Sequence, residues 1–428
     1  MKTHPYSKRP DYALWRRAVA DVAPGELDPV VEAPFRLNVR EKVATAGSCF
    51  AQHIGRYLKS SGCNYLVTEP PHAFVSSQAA DALNYGLYTA RYGNIYTSRQ
   101  LVQLFHRAYG RFTPKENYWR ERAGHVIDPF RPQIQPRGFN SARELDYDRE
   151  RHFAAVRKAF ETLDVFVFTL GLTELWRSRE DGAAFPLCPG VAGGDYSPAR
   201  HEFVNLGVDE IVADTTEFVR GLRAVNPAAR VILTVSPVPL VATAEARHVV
   251  ASTMYSKSAL RVACDVLSRS LSQVAYFPSY EIVAGGYAPT DYFAPDRRSV
   301  TQEGVAHVMR VFERHFIKRS AAGEALRGAL RALGPSLGPS HGPMRAASAE
   351  DPLAAAMRLM CDEEALSLEQ FEAPSGDEEA RLGDEAPSET EPAPLHGSGE
   401  EFAAQEPLAD KTEHEAGPAN PENERLVD

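Results

Sequence analysis

Cysteine is scarce in this 428-residue chain: Cys49, Cys63, Cys188, Cys264 and Cys361 are all there are. The number is odd and no pair stands at close metal-ligand spacing. Reduced thiols are the default, and neither a disulfide framework nor a metal site is expected; no other cofactor is expected either. No run of eighteen apolar residues occurs, which argues against a helical membrane span. The opening MKTHPYSKRPDYALWRR lacks the apolar core of a leader, and predicts a cytoplasmic protein. Recognition-helix and zinc-finger patterns are missing too, so nucleic acid is not an expected partner.

Charge is present but unevenly spread. Residues 350–428 hold 23 acidic and 4 basic residues, against 34 acidic and 43 basic in the rest. A mildly basic body with an acidic tail suits an anionic ligand, or screening of the body by its own tail. The plainer reading is a solvated tail that confers solubility.

The stretch Val43–Leu58, VATAGSCFAQHIGRYL, organises the rest. Small and β-branched residues open it as a buried strand. Gly47-Ser48 turns the chain. Phe50, Ile54, Tyr57 and Leu58 then recur at helical spacing. A serine at such a turn has its hydroxyl lifted out of the sheet, next to the positive end of a helix dipole. The alternative is a plain helix N-cap, a role serine often fills.

The letters Gly47-Ser48-Cys49-Phe50-Ala51 spell the motif of the GSCFA family, a branch of the SGNH-like hydrolases, and the chain resembles that family further along. YGNIYTSRQL (Tyr92–Leu101), FVFTLGLTELW (Phe166–Trp176), TVSPVP (Thr234–Pro239), YSKSALR (Tyr255–Arg261) and YFPSYEI (Tyr276–Ile282) follow in a compatible order. The resemblance covers roughly residues 40–318. It implies a serine esterase or O-acyltransferase, with an acylated glycan as one kind of substrate.

Residues 1–40 read as an N-terminal arm, with Trp15 and Phe35 as anchors. A GSCFA/SGNH-like domain is expected over 41–320. Strands are expected at 42–46, 64–68, 164–170, 230–235 and 274–277, with helices at 49–60, 141–163, 207–225, 252–273 and 301–316 between and after them. This alternation predicts a three-layer α/β/α fold with a mainly parallel, flavodoxin-like sheet. DVFVFTL at 164–170 is apolar almost throughout, as in a strand buried on both faces. Residues 69–150 read as an insertion, with one clear helix at Ser98–Tyr109. Its tyrosines and Trp119, mixed with Arg91, Arg131 and Arg137, suit a sugar or an anionic polymer, or equally a subdomain core. Residues 171–176 and 177–206 read as loops. Residues 321–349 read as a helix end and a Gly/Pro/Ser linker, and 350–428 as an acidic tail too poor in apolar residues to fold. Pro352–Phe371 is the exception: Leu353, Met357 and Met360 fit a short amphipathic helix for a partner protein or for the body.

Acyl chemistry needs a nucleophile, a base and oxyanion donors. Ser48 is the expected nucleophile, and its own N–H is one possible oxyanion donor. Cys49 is the neighbouring rival; successive helical residues point about 100° apart, so only one of the two can face the site. Gly171, Thr173 and Glu174 stand where SGNH-like enzymes carry an oxyanion block. The glycine permits close backbone approach, Thr173 offers a hydroxyl, and Glu174 orients it or binds substrate; a loop packed for structural reasons is the alternative. The family pattern Asp-x-x-His maps onto Asp296-Arg297-Arg298-Ser299, so Ser299 occupies the histidine position. A substitute base is then needed. His248 is the first choice, ahead of His53, His72 and His307, with Asp296 to orient it. Lys257 and Arg261 are either donors to an anionic substrate or partners in ion pairs. Two functions follow: an SGNH-like serine esterase or acyltransferase with an atypical base, or a catalytically reduced domain that binds carbohydrate or a protein partner.

Overall fold

From Val43 on, strands and helices alternate. Strand β1 (Val43–Gly47) leads into helix α1 (Cys49–Ser60), and helices α2 (Ser98–Ala108) and α3 (Ala142–Thr162) precede strand β2 (Val165–Leu170). Three short strands follow, β3 (Glu174–Ser178), β4 (Ala184–Phe185) and β5 (His201–Asn205). Then come α4 (Val208–Val225), β6 (Arg230–Val235), α5 (Val249–Ser270), β7 (Val274–Phe277), α6 (Ser279–Ala284) and α7 (Gln302–Phe316). The computed structural model describes residues 4–23, 25–120 and 124–319. The linker, the acidic tail and the helix expected at Pro352–Phe371 lie outside the described residues.

The central sheet is parallel, in the order β7-β6-β2-β1. Tyr65 adds a single parallel bridge to Val43 on the outer side of β1, so the expected second strand shrinks to one residue pair. The order in space is therefore 2-1-3-4-5, the flavodoxin-like arrangement. Every residue of β1 and β2 is buried, because helices cover both faces. On one face Phe166, Phe168 and Leu170 pack with Phe105 of α2, Phe160 of α3, Phe218 of α4 and Leu260 of α5. On the other, Val165, Val167 and Ile232 pack with Phe50, Ile54 and Leu58 of α1 and with Val308 and Phe312 of α7. These are the expected three layers.

Two readings of the sequence change. Residues 174–205 are not plain loop: β3 pairs antiparallel with both β4 and β5, Glu174 opposite Asn205 and Trp176 opposite Phe203. The pairing joins segments some 25 residues apart, so no local periodicity announces it. Helix α5 begins three residues earlier than expected, at Val249, because His248 caps it.

Three arginines of the 69–150 region sit in buried ion pairs. Arg91 pairs with Asp148 at 3.0 Å, Arg131 with Asp128 at 2.9 Å and Arg149 with Asp128 at 3.3 Å. His152 Nδ1 lies 2.8 Å from Glu69. Tyr88, Tyr92, Tyr96 and Trp119 are buried. For Arg91, Arg131 and these rings, the core reading holds over the sugar reading. In the arm, Phe35 packs against the core and Trp15 stands exposed, edge-on to Tyr287 at 5.8 Å.

Candidate active site

Ser48 stands at the C-terminal end of β1, where that strand turns into α1. Gly47 makes the turn possible. Its φ is +140°, and a Cβ there would come within 2.3 Å of the Thr169 carbonyl oxygen; only glycine fits. Ser48 takes the N-cap position of α1, yet its side chain makes no capping bond. The Oγ is buried and has no hydrogen-bond partner among the described residues, in a residue only 3% exposed. A buried hydroxyl left unpaired costs free energy unless it is kept for a ligand or a water. The plain N-cap reading therefore does not account for Ser48.

The Ser48 N–H donates to the Thr169 carbonyl at 3.1 Å. The sequence left this N–H as an oxyanion donor; the register of Gly47 against Thr169 commits it to the sheet instead. Beside it, at the end of β2, Gly171 lies so close that a Cβ would sit 2.8 Å from Ser48 Cβ. The N–H groups of Gly171 and Leu172 both donate to the Tyr96 carbonyl, at 2.9 and 3.0 Å. The Gly171 carbonyl accepts from Lys257 Nζ at 2.7 Å. Lys257 is fully buried, so its amine, reaching from α5, braces the loop against which Ser48 packs.

Thr173 sends its N–H to Ser256 Oγ at 3.1 Å, while its own Oγ1 is buried without a partner, as is that of Thr169. Glu174 is drawn away: Oε1 accepts from Thr243 Oγ1 at 2.7 Å and Oε2 from the Ala244 N–H at 3.4 Å. Burial is the main cause that pushes its carboxyl above the ordinary range. Glu174 thus clamps the loop after β6. Arg261 pairs with Glu281 at 2.6 Å.

The other loops gather at the same sheet edge. The Ser236 N–H donates to the Leu170 carbonyl at 2.8 Å. Leu240 and Val249 pack on Tyr96 and Leu172. Arg298 Nε donates to the Pro239 carbonyl at 3.3 Å, which ties the 294–299 turn to the loop after β6. In a 2-1-3-4-5 sheet this edge, between the ends of β1 and β2, is where ligands bind.

The candidate bases are placed as follows. His248 is exposed, and its Nδ1 accepts from the Val250 N–H at 3.2 Å as the cap of α5. Asp296 is an exposed turn residue whose carboxylate accepts from the N–H groups of Arg298 and Ser299, both at 2.9 Å, and from Ser299 Oγ at 2.5 Å. These bonds outweigh partial burial, and the carboxyl sits below its usual range. His53 is driven down to about 4, first by burial and then by Arg56. His72 is exposed. His307 is buried between Tyr292 OH, 2.7 Å from Nδ1, and the Leu27 carbonyl, 2.8 Å from Nε2, so it packs the arm. None of these histidines is hydrogen-bonded to Ser48. Cys49 is buried beside Phe50 and Ile54 in the core against α7.

The sequence reading passed over a polar cluster next to Ser48. Gln52, one helical turn on along α1, donates to Asn94 at 3.1 Å and to Tyr88 OH at 3.3 Å, all three buried. The i, i+4 spacing of Ser48 and Gln52 was the one available signal.

Fold and site together define a flavodoxin-like α/β protein with a buried, unpaired serine at the switch point of its sheet. The chain belongs to the GSCFA family, whose model matches residues 42–312. Among curated proteins none matches. Solved structures similar to the chain include a carbohydrate esterase family 3 protein from Talaromyces cellulolyticus (14% identity, 68% of this chain and 99% of that one, TM-score 0.24). A mutant acetyl esterase with acetate ion is similar over 69% of this chain and 100% of that one (13% identity, TM-score 0.24). The salicylyl-acyltransferase SsfX3 from a tetracycline biosynthetic pathway is similar over 42% of each (15% identity, TM-score 0.21). Of another, from Streptococcus pneumonia, the chain spans 59% of the length. At such TM-scores these likenesses carry no argument about this chain. Among the described residues no helix is long and apolar enough to cross a membrane, and no group of three or more His, Cys, Asp or Glu is placed to hold a metal.

Proposed function

We propose that this chain is a serine esterase or O-acyltransferase with Ser48 as its nucleophile. The observation that carries this reading is the Ser48 hydroxyl itself, buried at the sheet's switch point with neither a capping bond nor any other partner. In the proposed reaction Ser48 Oγ attacks an acyl carbonyl and loses its proton to a base. The acyl-enzyme then yields to water or to a second hydroxyl. His248 is the candidate base and Asp296 the candidate orienting group. Support for both is positional: the loop before α5 packs on the Tyr96–Leu172 cluster, and the 294–299 turn is tied to Pro239. Gly171, Thr173 and Glu174 complete the site, with the unpartnered Thr173 hydroxyl as the oxyanion donor and Glu174 holding the loop that ends at His248. The family resemblance alone suggests an acylated glycan as substrate. A cytoplasmic location, and a protein partner for the acidic tail, belong to the same proposal.

The second reading is a catalytically reduced domain that binds carbohydrate or a partner protein. Ser299 at the family's histidine position, and the lack of any histidine bonded to Ser48, favour it. A screen with short acyl esters decides between the two, comparing the parent with Ser48→Ala, His248→Ala and Asp296→Asn. Turnover that falls at least a hundredfold in Ser48→Ala supports the enzyme. Turnover unchanged in that variant, or none in the parent, removes it.

A further inference from the structure

On the face of the sheet covered by α2 and α3 there is a small, partly open cavity of about 30 Å³, bordered by Arg107, Arg131, His152, Asn94 and Phe130. A water needs about 10–15 Å³, so the space takes about two waters, or one small ion and a water. What sets it apart is its polar lining. Arg91, Arg131 and Arg149 each have a carboxylate within 3.5 Å. Arg107, only 8% exposed, has no ion pair and no hydrogen bond among the described residues. Its guanidinium lies over the Phe130 ring at 3.6 Å and the Phe153 ring at 5.1 Å. Rings hold a cation by its faces but leave its N–H edge unsatisfied. Burial weighs most heavily against its charge; Arg149 and Arg131 add to that, and Asp128 pulls the other way.

The second observation is His152, 1% exposed. Its Nδ1 lies 2.8 Å from Glu69, and Glu69 is held ionised at about 2 against its own burial by His152, Arg131 and the Arg91 N–H. Burial first, and then Arg131, lowers the pKa of His152 and favours the neutral ring; in that form the proton facing the Glu69 carboxylate sits on Nδ1. Nε2 is left as an acceptor, buried and without a partner among the described residues. One cavity thus joins a cationic donor lacking an acceptor to a neutral acceptor lacking a donor.

We propose that this cavity is a binding site for a small monovalent anion. The anion accepts from the Arg107 guanidinium, and an O–H, its own or that of one accompanying water, donates to His152 Nε2. A halide or a small oxyanion such as formate satisfies this chemistry; a divalent or bulky anion does not fit the space. The site completes the buried charge network within residues 69–153, and it does not depend on the esterase reading.

The test uses the full chain. Its melting temperature is followed in sodium chloride, sodium bromide and sodium formate, each against sodium gluconate at equal ionic strength, since gluconate is too large to enter. The expected result is a saturable rise of roughly 2 °C at ten times Kd, absent in Arg107→Met and shifted to higher concentration in His152→Phe. Chloride and formate separate the halide from the oxyanion. A bromide soak with anomalous scattering, which needs no variant to fold, should place a peak within about 3.5 Å of Arg107. Identical curves in chloride, formate and gluconate overturn the proposal, as does a bromide-soaked crystal with only waters in the cavity.

Discussion

Gly171 packs face to face on Ser48, with room between them for no more than a hydrogen: a Cβ at 171 would stand 2.8 Å from Ser48 Cβ and 3.5 Å from its Oγ. Both backbones are pinned there, Ser48 through Thr169 and Gly171 through Tyr96 and Lys257, so neither can retreat cheaply. Gly171→Ala should therefore cost about 1–3 kcal/mol by overpacking, read as a lower denaturant midpoint at unchanged slope. It should also abolish any Ser48-dependent ester turnover. A stable, fully active alanine variant would show that Ser48 does not need this contact.

Asp128 is buried and paired with two arginines, Arg131 and Arg149, whereas Glu202 pairs with Arg177 and Arg179 at the surface. Removing the buried carboxylate leaves two guanidinium groups short of a partner in a dry setting. Asp128→Ala should cost about 3–5 kcal/mol, and Glu202→Ala far less, because solvent screens an exposed pair. Urea titration of the two variants checks the contrast.

His53 makes stability depend on pH. Burial first, then Arg56, lowers its folded pKa from 6.5 to about 4. Between those values the unfolded chain binds more protons than the folded one, so stability rises with pH. The contribution of neutral His53 is fully present above pH 6.5 and is lost as pH falls toward about 4. It amounts at most to roughly 3 kcal/mol. His53→Gln should flatten the stability profile between pH 6.5 and 4, measured by chemical denaturation at half-unit steps. An unchanged profile would mean that His53 does not carry the acid sensitivity.

What the sequence disclosed, and what it hid, follows the range of each interaction. The Gly47-Ser48 turn and the buried run at 165–170 were legible because burial on both faces writes itself into consecutive residues. The β3–β5 pairing was not, since Glu174 and Asn205 meet only in the folded sheet. The bond from Lys257 to the Gly171 carbonyl was not legible either, since it spans 86 positions. The commitment of the Ser48 N–H to Thr169 is likewise a matter of strand register, which no single stretch contains. His248 was judged by its place in the chain order; its exposed position as a helix cap is set by where α5 begins.

Ser299 marks where this chain departs from the pattern of its family, and it allows a direct test of the site. Its hydroxyl and N–H both donate to the Asp296 carboxylate, so the turn closes on itself. An imidazole at 299 would keep the N–H contact and could donate its Nδ1–H to the same carboxylate, freeing Nε2 to take a proton from a serine. A neutral serine hydroxyl is a poor nucleophile without such a base. Ser299→His should therefore raise the rate constant for short acyl esters at least tenfold over the parent, with a pH profile that rises through the histidine range. Ser48→Ala in the same background should return the rate to the parent's level or below. The turn is exposed, so the substitution should alter the melting temperature by no more than a degree or two. If Ser299→His folds normally and turnover does not rise, the missing histidine is not what limits the site, and the binding reading takes the lead.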